Sequence, residues 1–166
     1  MISGYLIAIG ILSILMSFAI GSNDAANALA TSYGSKALKL RYLVLFGAIF
    51  EFIGAYWCSG HVAGKLVSNI IEGTDSLTDE EIDHMMLGTS ISSFVFIMAS
   101  SLFGIPISGT HTIVGAIIGS GLAVVSASNI NWVQMGVIVA GWFIAPILAI
   151  LLCALFFVAV CSMTLD

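Results

Sequence analysis

The chain has 166 residues, 60% of them hydrophobic and 8% charged, with a mean hydropathy of +1.14. A soluble domain carries about 25% charged residues and could not hide this much apolar surface, so the sequence predicts an integral membrane protein with lipid as its solvent. Four Lys plus Arg against nine Asp plus Glu exclude the basic face that nucleic-acid binding needs.

In chain order, five apolar stretches cover about residues 4–31, 42–60, 84–104, 105–128 and 132–160. They predict an all-α polytopic helix bundle forming a single transmembrane domain over residues 1–166. No Lys or Arg precedes the first stretch and a polar cluster follows it, so it is expected to be a mature helix and not a cleaved signal. About 20 residues cross a ~30 Å hydrocarbon core, which suits the second, third and fourth stretches. The first and last, at about 28 residues, would reach about 42 Å and must tilt, kink or break. Pro146 is a sufficient cause in the last. In the first, a break is expected at Gly21-Ser22-Asn23-Asp24.

Stretches three and four are separated only by Phe103 to Gly109, and read equally as two crossings or as a re-entrant hairpin. Lys36, Lys39 and Arg41 fall in the first loop, whereas residues 61–83 carry Lys65 against six acidic side chains. The positive-inside rule therefore expects the N-terminus outside and, on either count, the C-terminus inside a plasma membrane. The acidic loop reads as a solvated connector. An odd number of crossings would insert a following homologous half upside down, so the chain reads as one half of an inverted-repeat transporter.

Cys58, Cys153 and Cys161 are odd in number, lie among apolar residues and lack C-x-x-C spacing, so they are expected to be free core thiols without a disulfide framework or zinc site. Gly115 and Gly119 form a G-x-x-x-G that predicts close helix packing.

The chemistry-bearing residues fall in two groups. Asp24, Asn27 and Thr31 are spaced i, i+3, i+7 and share a helical face, with Ser13 and Ser17 extending the stripe. An Asp at the bilayer centre costs about 2.5–3.5 kcal/mol on insertion scales and so calls for a partner or a ligand. A carboxylate flanked by the carboxamides of Asn23 and Asn27 fits cation coordination, Na⁺ at Asp24 above all, better than pairing with Lys36. The second group is Pro106-Ile107-Ser108-Gly109-Thr110-His111-Thr112, followed by an apolar run from Ile113 to Val125. This is how a helix N-terminus reads, and its free N–H groups with the Ser108 and Thr110 hydroxyls would make an anion site. An ordinary interfacial cap remains open, and His111 is compatible with a structural role or with proton carriage. Glu51 lies mid-helix among aromatics and is expected to face the bundle interior, as a cation ligand, a proton carrier or a helix lock.

No Lys or Arg lies within any apolar stretch, although Asp24 and Glu51 do. An anion bound there would be repelled by several kcal/mol at an effective dielectric near 20. A co-bound Na⁺ or proton removes that penalty, so anion transport through such a site is expected to be cation-coupled.

Gly21 to Asn27, followed by Thr31 to Ala37, resembles the Gly-small-Asn-Asp-x-Ala-Asn signature of the inorganic phosphate transporter (PiT) family. Pro106 to His111 is similar to that family's Pro-x-Ser-Thr-Thr-His segment, and the Glu-bearing second helix is similar too. The resemblance, to the N-terminal repeat, implies an inverted-repeat fold that moves inorganic phosphate with Na⁺ or H⁺; some bacterial relatives carry sulfate. It also implies that Asn23, Asp24 and Asn27 belong to the substrate and cation site. Ser108, Gly109, Thr110 and His111 would form the opposing wall, Ser108 and Thr110 donating to phosphate oxygens. Gly109 departs from the family's usual Thr and Ser22 from its usual Ala. A site with pseudo-two-fold symmetry needs a second half, from a longer chain, another subunit or an antiparallel homodimer. Three other readings stand beside this one: a sulfate or other oxyanion permease, a non-transporting assembly or receptor subunit, and an intramembrane hydrolase using Ser108, His111 and Asp24. The last lacks the G-x-S-x-G elbow, so the chain is expected not to be an enzyme, with no cofactor beyond the coupling ion.

Overall fold

The computed structural model describes residues 2–164, with side chains at all of these except 2, 3, 6, 61–67 and 164. Five α-helices follow one another: α1 (Ile2–Gly34), α2 (Leu40–Ile70), α3 (Asp79–Leu102), α4 (Gly109–Val124) and α5 (Trp132–Thr164). Short 3₁₀ turns at Thr74–Ser76 and Ala127–Asn129 lead into α3 and α5. The chain divides after Ile130 into a four-helix unit and a second unit holding α5.

The first helix does not break where the sequence suggested. α1 runs through Gly21 to Asp24 without interruption, because the polar side chains there leave its backbone ladder in place. Ser22 returns its hydroxyl to the Ala19 carbonyl at 2.8 Å, and Asn23 turns its carboxamide outward to another segment. Its 33 residues reach about 50 Å, well beyond a ~30 Å core. The helix ends after Ser35 N–H donates to Thr31 O at 3.0 Å, and Lys36 turns the chain in the left-handed region at φ 57°.

Hydropathy also misjudged the ends of two helices. α2 continues ten residues past the apolar stretch ending near 60, since residues 61–70 hold no proline to stop it and hydropathy marks the lipid boundary instead. α3 begins five residues early. Thr78 caps it with a reciprocal box, accepting from Glu81 N–H at 3.3 Å while Glu81 Oε2 accepts from Thr78 N–H at 2.9 Å.

Within the four-helix unit, α1 and α3 run parallel: Leu87 shares a cleft with Gly4, Tyr5 and Ala8, and Ser101 meets Ser22 and Asn23 one long stretch further on. α4 returns antiparallel along α3, with Thr89 Oγ1 and Ser120 Oγ 2.6 Å apart. Ile97, Val114 and Ile117 are buried between them, as is Ser93, whose hydroxyl has no hydrogen-bond partner. The loops after α2 and α4 clasp through Glu72 N–H to Asn129 O at 2.7 Å, and Ile71 caps Gly121. α2 lies antiparallel to α1, Leu29 resting on Gly47 at 3.7 Å.

Four helices, Ile7–Gly34, Leu40–Gly60, Asp79–Leu102 and Trp132–Met163, are long and apolar enough to cross a membrane. The fourth expected stretch, 105–128, forms the 16-residue α4, which reaches only about 24 Å. Its neighbours Leu102 and Phe103 are each 80% exposed, an apolar tip to the α3–α4 hairpin. α5 continues through Pro146 and is apolar all round. Cys58 and Cys153 are exposed and Cys161 is half-buried, so these thiols lie on helix surfaces of the described residues and not in a core. Gly115 and Gly119 also miss their expected role: nothing lies within 4 Å of either position, because the α4 face turned to its neighbours is that of Val114, Ile117 and Gly121.

Candidate functional site

The two polar motifs meet. The tip of the hairpin, Phe103 to Ser108, comes to rest on α1 beside Asn23, Asp24 and Asn27. Asn23 is 5% exposed, and its Nδ2 donates to Ser101 Oγ and to the Ile105 carbonyl, both at 3.2 Å. Its Oδ1 accepts from Ile107 N–H at 3.0 Å. One turn on, Asn27 Nδ2 donates to the Ile107 carbonyl at 3.2 Å and to Asp24 Oδ1 at 3.4 Å. Irregular backbone in an apolar setting must find partners for its N–H and C=O groups. The two carboxamides supply them, each offering a donor and an acceptor at a spacing that keeps both on one side of α1.

Asp24 is left half-buried with Asn27 as its neighbour. Lys36 lies 12 positions on, about 18 Å along a helix axis, so the local ion pair is out of reach. Opposite the carboxylate is the first residue of α4. A Cβ on the buried Gly109 would stand 3.4 Å from Asp24 Oδ2 and 3.9 Å from Ile20 Cγ2. Glycine thus brings the first turn of α4, whose leading N–H groups have no carbonyl acceptor within their own helix, and the positive end of its dipole directly against the acid.

Ser108 caps α4. Its Oγ accepts from His111 N–H at 3.3 Å and shares a 2.5 Å bond with His111 Nδ1. Thr112 Oγ1 donates to Ser108 O at 3.0 Å, while Thr110 is exposed. Ser108, His111 and Gly115 line a cavity of about 610 Å³ together with Ser92 and Phe96 of α3. A smaller space of about 230 Å³ opens between Ser22, Asn23, Ser101 and Pro106. Among the described residues, neither is lined by a Lys or Arg.

The rest of the expected stripe does not join the site. Ser13 and Ser17 return their hydroxyls to Ile9 O and Ser13 O, both at 2.8 Å, and Thr31 is exposed. Glu51 does not face the interior of this unit either. It is exposed, as are its neighbours Phe50 and Phe52 at 68% and 73%, although it lies one turn beyond Gly47 on the same edge of α2, where no large α1 side chain faces it. Counting antiparallel from the Gly47–Leu29 contact places Glu51 level with Ala25, hence at the depth of Asp24. Sequence reasoning missed Ser101 and the carbonyls of Ile105 and Ile107. The only available signal was the Ser100-Ser101 pair closing an apolar helix.

Residues 20–166 match the model of the phosphate transporter family. A Haemophilus influenzae protein named "Putative phosphate permease" is 36% identical over 135 residues, covering 81% of this chain and 32% of its own. The sodium-dependent phosphate transporter of Plasmodium falciparum is 36% identical over 143 residues, 84% of this chain and 21% of that one. A solved structure of a sodium-dependent phosphate transporter superposes with a TM-score of 0.88 at 33% identity, over 96% of this chain and 40% of the other. The chain spans about a third of the length of the curated relatives it matches.

Proposed function

The chain belongs to the phosphate transporter family, and from that premise we propose that it supplies one half of a site carrying inorganic phosphate across a membrane together with a cation. The observation that carries this reading is the approach of Asp24 to the first turn of α4 at Gly109. The N-terminal N–H groups and the exposed Thr110 offer donors to an oxyanion, while the carboxylate beside them repels it. At about 5 Å and an effective dielectric near 20, that repulsion is about 3 kcal/mol per unit charge. A cation held by Asp24 and the free lone pairs of the Asn27 carboxamide cancels it, so anion and cation enter together. The sodium-dependent transporters named among the relatives favour Na⁺ over a proton.

Ser108 and His111 form the wall of the larger cavity, and α3–α4 act as a re-entrant hairpin whose apolar tip stops level with Asn23. The second half of the site comes from a homologous repeat of opposite orientation, whether in a longer chain, in another subunit or in an antiparallel second copy. That half would cover Glu51, whose charge at mid-span is costly against lipid. The N-terminus lies outside and the C-terminus inside a plasma membrane.

Radiolabelled phosphate uptake into proteoliposomes tests this, first with an inward Na⁺ gradient and then with a pH gradient. Gradient-driven uptake that Asp24→Asn abolishes, while the variant still inserts and folds, is the expected result. Normal Na⁺-driven uptake by Asp24→Asn overturns the assignment. Uptake of sulfate in preference to phosphate would move the chain to the oxyanion permeases.

A further inference from the structure

Ser101 belongs to neither polar motif, yet it stands where the hairpin is fastened to α1. α3 ends just beyond it in a glycine turn. Gly104 adopts φ 68°, its N–H donates to Ser101 O at 3.1 Å, and Ile105 N–H reaches back to Ser100 O at 2.9 Å. This closes the helix but leaves the next carbonyls without local partners. The Asn23 carboxamide fills the gap, and its orientation is fixed by chemistry: only Oδ1 can accept from Ile107 N–H, so Nδ2 must face Ser101 and the Ile105 carbonyl. With both Nδ2 hydrogens engaged, Asn23 has no donor left for an anion. Ser101 Oγ is also 3.5 Å from Ser22 Oγ, placing a second α1 side chain at the same point.

We propose that Ser101 is a positioning residue: with Ser22 and Asn23 it forms a latch that sets the depth of the hairpin tip on α1, and so brings Gly109 against Asp24. The proposal rests on the cation-coupled phosphate reading above for its effect on transport, but not for its geometry. Without the hydroxyl, Nδ2 of Asn23 loses one of its two acceptors and the tip is held by the Ile105 and Ile107 backbone bonds alone. The Asp24–Gly109 pairing then loosens, and both ligands that depend on it bind less well.

Two measurements test the latch. In a background with Cys58, Cys153 and Cys161 changed to Ala, the pair Ser22→Cys/Ser101→Cys is oxidised in native membranes and scored by protection from a maleimide mass tag. Near-complete disulfide formation is expected, and failure to cross-link overturns the latch whatever the chain transports. Separately, Ser101→Ala is expected to raise the half-saturating phosphate and Na⁺ concentrations up to about tenfold with little change in maximal rate, the loss of one half-buried hydrogen bond, and Ser101→Thr to restore them to within about twofold. Equal behaviour of Ala and Thr, or a fall in maximal rate alone, overturns the positioning role. If the assembled transporter, this half together with its second repeat, moves no phosphate while the cross-link forms, the transport reading fails and the latch stands.

Discussion

Placing a threonine at position 109 gives the sharpest test of the Asp24–α4 contact. A Cβ there lies 3.4 Å from Asp24 Oδ2, which is ordinary van der Waals contact, so the side chain enters without displacing the acid. With a C–O bond of about 1.4 Å and an angle at the hydroxyl of about 110°, the threonine oxygen stands about 2.7 Å from Oδ2, inside the usual O–H···O range. A hydrogen bond to a charged acceptor contributes about 1.5–3 kcal/mol when shielded. Asp24 is half-buried, so solvent screening brings the expected gain below that range, to about 1 kcal/mol. The assay is a double-mutant cycle of Gly109→Thr with Asp24→Ala, followed by reversible unfolding in mixed micelles. The helix-propensity change on leaving glycine is common to both backgrounds and cancels. A coupling of about 1 kcal/mol supports the contact, whereas one below about 0.3 kcal/mol, the level at which distant sites add, refutes it and removes the observation on which the function rests.

Ser93→Ala removes a buried hydroxyl that has no partner, so stability in the same unfolding assay should be unchanged or higher by about 1 kcal/mol; a loss of that size would show that the hydroxyl is engaged. Gly121→Ala should destabilise by about 1–3 kcal/mol through overpacking, since its Cβ would meet Ile71 Cδ1 at 2.8 Å. Adding Ile71→Val deletes that atom and should recover much of the loss, and a double variant no better than Gly121→Ala would refute the clash.

The membrane class and the two polar motifs were legible because each rests on local composition. Asp24 and Asn27 share a face by spacing alone, and Ser108 announced the start of α4 because Pro106 and a hydroxyl precede a long apolar run. What spacing could not supply was the partner of each polar atom. The expected break at Gly21 to Asp24 followed from counting polar residues in a long apolar segment, but their hydrogen bonds go across to Ser101, Ile105 and Ile107, leaving the α1 ladder intact. Gly115 and Gly119 show the same limit. Their spacing is that of a packing motif, yet the face of α4 that packs is decided by where α3 and the Ile71 loop lie, and it selects Gly109 and Gly121 instead. Glu51 was placed inside because a mid-span carboxylate needs cover, and this unit alone does not provide it.

The signature on α1 therefore divides its labour along lines that residue type dictates. A carboxamide carries both a donor and an acceptor and can close a backbone gap without adding charge; a carboxylate can do neither beside a carbonyl, which it would repel. Asn23 and Asn27 stand where carbonyls of the tip approach, at Ile105 and Ile107. Asp24 stands where the tip ends and N–H groups begin, at Gly109. Exchanging the two types would set a charge against a carbonyl and leave the α4 terminus facing an amide. The order Asn-Asp-x-x-Asn thus follows the backbone laid across it: an acceptor and a donor together at Asn23, the N–H end of α4 at Asp24, and an acceptor at Asn27. The one charge in the motif falls at the point where an arriving anion and a compensating cation would both be felt.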